Sequence, residues 1–157
     1  MKTLQTTLLY LLKANQVLLA MKKRGFGVGK YNGVGGKLEV GETVEQAMIR
    51  ETQEEIGVTP VNYQKHGILQ FDMYIKGEHV LEDVHVFTAT EFNGEPCESE
   101  EMRPTWFAVD KLPLHQMYQT DKIWLPLLLA KRGSLMGSFK FSDDLDSKLV
   151  DYKLKVD

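Results

Sequence analysis

A chain of 157 residues, 43% of them apolar, has the length and material for one sizeable core, and residues 1–157 are read as a single domain. The 19 basic and 22 acidic residues leave a net charge of −3, with no electrostatic footprint for a nucleic-acid polymer or an anionic membrane. Cys97 is the only cysteine, which excludes an intramolecular disulfide, makes a reducing, cytoplasmic setting the expectation, and leaves oxygen atoms or histidine as metal ligands.

In chain order, the apolar run 8–12 is too short for a signal peptide or for the roughly 20 residues of a membrane span. It is predicted as a buried strand, paired through a turn at Ala14-Asn15-Gln16 with a second strand over 17–21. Seven glycines then fall within the 17 residues 25–41, a density that demands tight turns or close backbone approach. A helix is predicted over 44–56, opened by Thr43 with Gln46 three positions on in a capping-box pattern and closed by Gly57. Strands follow over 67–75, 80–91 and 105–109, then a second helix over 122–131 and two further strands over 136–141 and 149–156. Strands interleaved with two helices predict an α/β sandwich with a mixed sheet.

The first helix carries Glu51, Glu54 and Glu55 within one narrow sector. With Glu51 at zero, Glu55 and Glu54 lie at about +40° and −60°, and Val44 and Ala47 fall between them at about +20° and −40°. A solvated charged face is the ordinary reading of such a helix, but these acids overlap its apolar side, where like charges at i, i+3 and i+4 repel. A hard divalent cation with oxygen ligands relieves that repulsion, magnesium before calcium where a phosphate supplies further oxygens. Glu42 and Arg50 stand where they can orient the ligands.

Five residues separate Gly36 from Glu42 and seven more lead to Arg50-Glu51, after which Glu54-Glu55 and Gly57-Val58 complete a 23-residue pattern. The pattern resembles the Nudix box, with Thr52 standing where that family usually has a bulky aliphatic residue. The resemblance implies an α/β/α sandwich of the Nudix type (an α+β fold with a mixed sheet) and hydrolysis of a nucleotide diphosphate linkage. In that family, metal ions held by the box glutamates bridge the substrate's diphosphate while a carboxylate activates water. Carried over by position, Glu51, Glu54 and Glu55 are metal ligands together with the Gly35 carbonyl, and either Glu51 or Glu55 is the general base. Arg50 joins the catalytic set, and an acid from outside the box completes it, Glu101 being preferred within Glu98-Ser99-Glu100-Glu101. The implied cofactor is Mg2+, with Mn2+ as a substitute.

Outside the box, Met21-Lys22-Lys23-Arg24-Gly25-Phe26-Gly27, Tyr31-Asn32-Gly33-Val34-Gly35-Gly36-Lys37, Asp83-Val84-His85-Val86-Phe87 and Glu101-Met102-Arg103-Pro104 resemble the MutT-type oxidised-purine nucleoside triphosphatases. By that resemblance Asn32 bonds the purine edge, Thr7 and Lys22 line the pocket, Gly36 and Lys37 contact substrate, and Phe71 and Tyr118 sandwich the base. Stacking of this kind is worth about 1–3 kcal/mol per base while leaving identity to polar groups. Those enzymes have tryptophan at the Tyr118 position and two adjacent aspartates where this chain has Thr120-Asp121. Met73 and Glu82 stand where phenylalanine and methionine are more frequent. The implied partner is a small-molecule nucleotide substrate, a monomer is the favoured state, and the implied reaction releases a nucleoside monophosphate and pyrophosphate. The rival readings are another nucleotide substrate of the same box (another dNTP, ADP-ribose, a dinucleoside polyphosphate or capped RNA), a non-catalytic nucleotide sensor, and an RNA-binding module. Three mutually repelling acids argue against the sensor. Only Lys22-Lys23-Arg24 supplies the basic character that RNA binding needs.

Overall fold

Strand β1 (Lys2–Lys13) is the spine of the molecule, because its two faces serve two different cores. Tyr10 and Leu12 belong to one buried cluster and Leu9 and Leu11 to the other, as the two-residue period of a strand requires. The same split runs through β2 (Gln16–Lys22), with Val17 and Leu19 opposite Leu18 and Ala20. It recurs in β5 (Glu78–Asn93), with Val84 and Val86 opposite Phe87 and Ala89. Helix α1 (Val44–Ile56) covers one face through Met48 and Ile56, and α2 (Asp121–Lys131) covers the other through Trp124, Leu125 and Leu128. This is the expected α/β/α sandwich. Each fully buried side chain of this size contributes about 1.5–3 kcal/mol, so both helices are held by packing more than by propensity.

A computed structural model describes residues 1–157. The remaining strands are β3 (Tyr31–Asn32), β4 (Thr59–Ile75), β6 (Met102–Ala108), β7 (Leu135–Phe141) and β8 (Leu149–Val156). The sheet runs β3-β2-β1-β5-β4-β7-β8, with β6 along β2. It is mixed: β1–β5 and β4–β7 are parallel and the other pairings antiparallel. No helix is long and apolar enough to cross a membrane.

Three expectations needed adjustment. The predicted β1–β2 hairpin pairs only at its base, Leu12 with Val17 and Lys13 with Gln16, beyond which the strands diverge and β1 takes β5 as its partner. Strand β4 begins at Thr59 and not near 67, and its first half is polar and largely exposed, so no alternation marked it. Gly67, taken as the strand's start, is an interior close approach: a Cβ there would fall 1.7 Å from the Leu135 carbonyl oxygen of β7.

Helix α1 begins and ends where its caps dictate. Thr43 Oγ1 accepts from the Gln46 N–H at 3.1 Å, the Thr43 N–H donates to Gln46 Oε1 at 2.9 Å, and Gly57 closes the helix at φ 72°. Thr52 is fully buried on the core side and satisfies its hydroxyl by donating to the Met48 carbonyl at 2.8 Å.

Candidate active site

The space left where β1 and β2 part is filled by the glycine loop. Leu9 and Val34 exchange backbone hydrogen bonds at 2.7 and 2.9 Å, and the Thr7 N–H donates to the Gly36 carbonyl at 2.9 Å. A Cβ on Gly35 would lie 1.8 Å from the Thr7 carbonyl oxygen, and one on Gly36 would lie 2.7 Å from the Glu51 carboxyl carbon. Glycine is therefore a packing requirement at both positions. The Gly35 carbonyl takes no backbone donor.

Beside this wedge lies an open groove of about 320 Å³ lined by Arg24, Glu51, Glu54, Glu55, Ser99, Glu100 and Glu101. The four acids named from the sequence as metal ligands thus share one groove, while Gly35 lines the adjoining cavity. Arg50 stands behind them. Its Nε and Nη2 donate to Glu42 at 2.6 and 3.0 Å, its Nη1 to Glu51 at 3.0 Å and to Glu54 at 3.2 Å, and Nη2 also to the Lys37 carbonyl at 3.1 Å. A bound cation is not the acids' only source of relief, because Arg50 supplies counter-charge to two of them. Glu51 and Glu54 lean toward that guanidinium, and no three acidic or histidine side chains converge on one point.

Glu55 is the exception. It is buried, its Oε2 has no hydrogen-bond donor, and no basic side chain pairs with it. Burial first, then the charge and hydrogen bond of Glu51, push its pKa up to about 8, against the opposing pull of Lys22. The orphaned carboxylate oxygen of Glu55, the partnered but reachable Glu51 and the free Gly35 carbonyl are each oxygen donors of the kind that suits a hard divalent ion. Glu101 is tied down from behind: its carbonyl accepts from the Lys23 N–H at 2.7 Å and its carboxylate lies 3.5 Å from Arg24.

On the other side of the wedge, a cavity of about 580 Å³ with mostly apolar walls opens toward α2. All nine positions assigned to substrate from the sequence line it: Thr7, Lys22, Asn32, Gly36, Lys37, Phe71, Tyr118, Thr120 and Asp121. Asn32 Oδ1 accepts from the Gly33 N–H at 2.9 Å and from the Tyr10 hydroxyl at 3.3 Å, which leaves its amide NH2 free to donate. Phe71 is braced by Phe139 and Phe141, with ring centroids 5.4 and 6.2 Å away. Tyr118 is held by Lys30, whose ammonium lies 5.2 Å from the ring centroid.

Asp121 is buried at the start of α2 and accepts from the Tyr118 N–H at 3.1 Å. Burial pushes its pKa up to about 7, partly offset by that N–H and by Lys30. Desolvation raises it without the like-charged neighbour that Thr120 replaces. Thr120 is buried beside it and makes no side-chain capping bond, so its hydroxyl remains uncommitted to the helix.

Among the cavity-wall residues not named from the sequence are Lys30 and Leu145, and Glu82, marked there only as a departure, was given no role. For Glu82 a signal existed. It shares its face of β5 with Val80, Val84 and Val86, so strand parity alone marks a carboxylate turned inward. Leu145 sits on the β7–β8 loop, which reaches the cavity by accepting hydrogen bonds from Gln119 at 2.9 and 2.6 Å, a contact with no local signature.

The family profile described as "NUDIX domain" matches residues 2–128. The zebrafish (Danio rerio) protein named oxidized purine nucleoside triphosphate hydrolase is 49% identical over 148 residues, covering 94% of this chain and 92% of that one. The mouse (Mus musculus) protein of the same name is 44% identical over 149 residues, covering 95% and 92%. Among solved structures, a MutT protein from Bacillus halodurans superposes with a TM-score of 0.82 at 30% identity, over 96% of this chain and 97% of that one. With its acid groove and its cavity set on the two sides of a glycine wedge, this chain belongs to the Nudix family.

Proposed function

We propose that this chain hydrolyses oxidised purine nucleoside triphosphates such as 8-oxo-dGTP to the monophosphate and pyrophosphate, as a monomeric single-domain enzyme of the cytoplasmic nucleotide pool. The observation that carries the reading is the junction of the two compartments. Gly36 lines the apolar-walled cavity and packs against Glu51, which lines the acid groove, so one nucleotide can engage both. The zebrafish and mouse relatives, matched along nearly their whole length, carry that activity in their names.

Nudix hydrolases generally use divalent metal ions, usually Mg2+. In this chain Glu51, Glu54, Glu55, Glu101 and the Gly35 carbonyl are the proposed ligands, with Mn2+ as a substitute ion. When bound, such an ion neutralises charge gathering on phosphate oxygens and lowers the pKa of water. The chain's own residues do the rest. Arg50 fixes the rotamers of Glu42, Glu51 and Glu54. Glu55 or Glu51 accepts the proton of the attacking water. Phe71 and Tyr118 hold the base, and the Asn32 amide and the Asp121 carboxyl read its edge.

Steady-state hydrolysis of 8-oxo-dGTP, 2-oxo-dATP, dGTP, dCTP and ADP-ribose with magnesium, alongside a Glu55→Gln control, tests this function. The expected result is preference for an oxidised purine triphosphate and loss of turnover in the control. A preference for ADP-ribose over every triphosphate refutes the substrate class, and turnover of none of them refutes the enzyme.

A further inference from the structure

Glu82 is the one carboxylate in the cavity wall that the proposed chemistry does not use. Across the antiparallel β4–β5 pair it lies directly opposite Phe71, and across the parallel β1–β5 pair it is in register with Leu4. Directly opposed residues on one face hold their Cβ atoms about 4.5–5.5 Å apart. A carboxyl group therefore stands beside the ring proposed to stack the base, among the apolar side chains of Leu4, Met73 and Val84. Its protein partner is a single hydroxyl: Thr6 Oγ1 donates to Oε2 at 3.0 Å.

Burial of this group raises its pKa, which the Thr6 hydroxyl and the Lys37 ammonium only partly offset. A carboxylate can accept about four hydrogen bonds, and in an apolar wall each unused lone pair is a cost. An apolar residue at this position would pack the wall with no such cost. The departure is paired with a second one. At Thr120 the chain lacks an acid that the resembled enzymes have, and at Glu82 it has an acid where they more often have methionine. Both positions line the same cavity.

We infer that Glu82 is a specificity-determining residue, whose carboxyl group accepts a hydrogen bond from the exocyclic amino group of a purine held against Phe71. The inference rests on the function proposed above and adds a chemical requirement to it: the favoured base carries an amino donor on the edge facing β5. Amino groups are the base substituents that side-chain carboxylates read, as glutamate and aspartate do with cytosine N4 in nucleic-acid complexes.

The test uses two pairs of triphosphates that differ only in that group, dGTP with dITP and dATP with purine deoxyriboside triphosphate. Values of kcat/KM are measured on the wild type, Glu82→Met and Glu82→Gln, with melting temperatures recorded in parallel. In at least one pair the wild type is expected to prefer the amino-bearing member by about tenfold or more, the effect of one charge-assisted hydrogen bond. That preference is expected to collapse in Glu82→Met, chiefly through KM. Glu82→Gln keeps an acceptor and is expected to retain part of the preference. Ratios unchanged within twofold in both pairs overturn the inference, whether total activity or melting temperature moves or not, because a merely structural role alters both members alike. Failure of the wild type to hydrolyse any of these four or the oxidised triphosphates defeats the proposed function instead, a result read before any variant is made.

Discussion

Arg50 grips Glu42 with two prongs, Nε and Nη2 donating to its two carboxylate oxygens at 2.6 and 3.0 Å, while Nη1 reaches forward to Glu51 at 3.0 Å. The planar fork sets the acid groove's geometry from behind, which a point charge on a flexible stem cannot do. Arg50→Lys is therefore expected to lower kcat/KM by about tenfold to a hundredfold and to raise the magnesium concentration for half-maximal activity. Titration of activity with Mg2+ measures both; an unchanged requirement would detach Arg50 from the metal site.

Glu55 predicts an unusual pH response. Its folded pKa of about 8 lies above the ordinary carboxylate value, so the folded state holds this proton more tightly than the unfolded chain does. Stability from this group is complete below about pH 4.3 and is lost as pH rises through 8. In EDTA the chain is expected to lose at least about 1 kcal/mol between pH 6 and 9, one pKa unit being worth about 1.4 kcal/mol. Glu55→Gln should flatten the slope above pH 7 and keep the part that Asp121 contributes below it, and Mg2+ should oppose the slope in the wild type. Urea denaturation across that range is the measurement, and parallel slopes for wild type and variant would refute the assignment.

At the far end of the cavity, Asp121 has a pKa of about 7, again raised by burial. The same sign holds, with its stabilising contribution present at acid pH and lost as pH climbs through 7. The kcat/KM for 8-oxo-dGTP is expected to inflect near pH 7, and Asp121→Asn to flatten that inflection. Thr120→Asp places a like charge beside Asp121 and should push the inflection upward, changing the 8-oxo-dGTP to dGTP ratio with little effect on the metal requirement. Profiles that superpose across all three proteins would remove Asp121 from base reading.

The ends of α1 were legible because capping is local chemistry: Thr43, Gln46 and Gly57 name the boundaries within a few residues of themselves. The grouping of Glu51, Glu54 and Glu55 was legible for the same reason, since helical periodicity is fixed. The divergence of β1 from β2 was not, because the loop that separates them arrives from the segment 33–37 and no short window contains both. The start of β4 at Thr59 escaped because its polar residues alternate with nothing. Nearly all of the base cavity was visible only through resemblance, as its walls come from strands, a loop and a helix that are distant in sequence. Glu82 was marked by the resemblance as a departure, and strand parity independently turns it inward.

Gly35→Ala is the sharpest test of the wedge. A methyl group placed 1.8 Å from the Thr7 carbonyl cannot be absorbed by a flexible side chain, because the obstacle is backbone. Destabilisation of about 1–3 kcal/mol or more is expected, with activity lost even in the fraction that folds. A variant of wild-type stability and activity would mean that the loop and β1 do not pack this closely.

The glycine wedge also acts as a ruler. Gly35 rests on the backbone of β1 beside the cavity, and Gly36 rests on the carboxylate of Glu51 beside the groove, so adjacent residues fix the spacing between the two compartments. Neither has a side chain that could yield. Under the function proposed above, a nucleotide bridging both would have to match a length set by bare peptide, and a longer or shorter linkage between base and phosphates is expected to be out of register before its base identity is read.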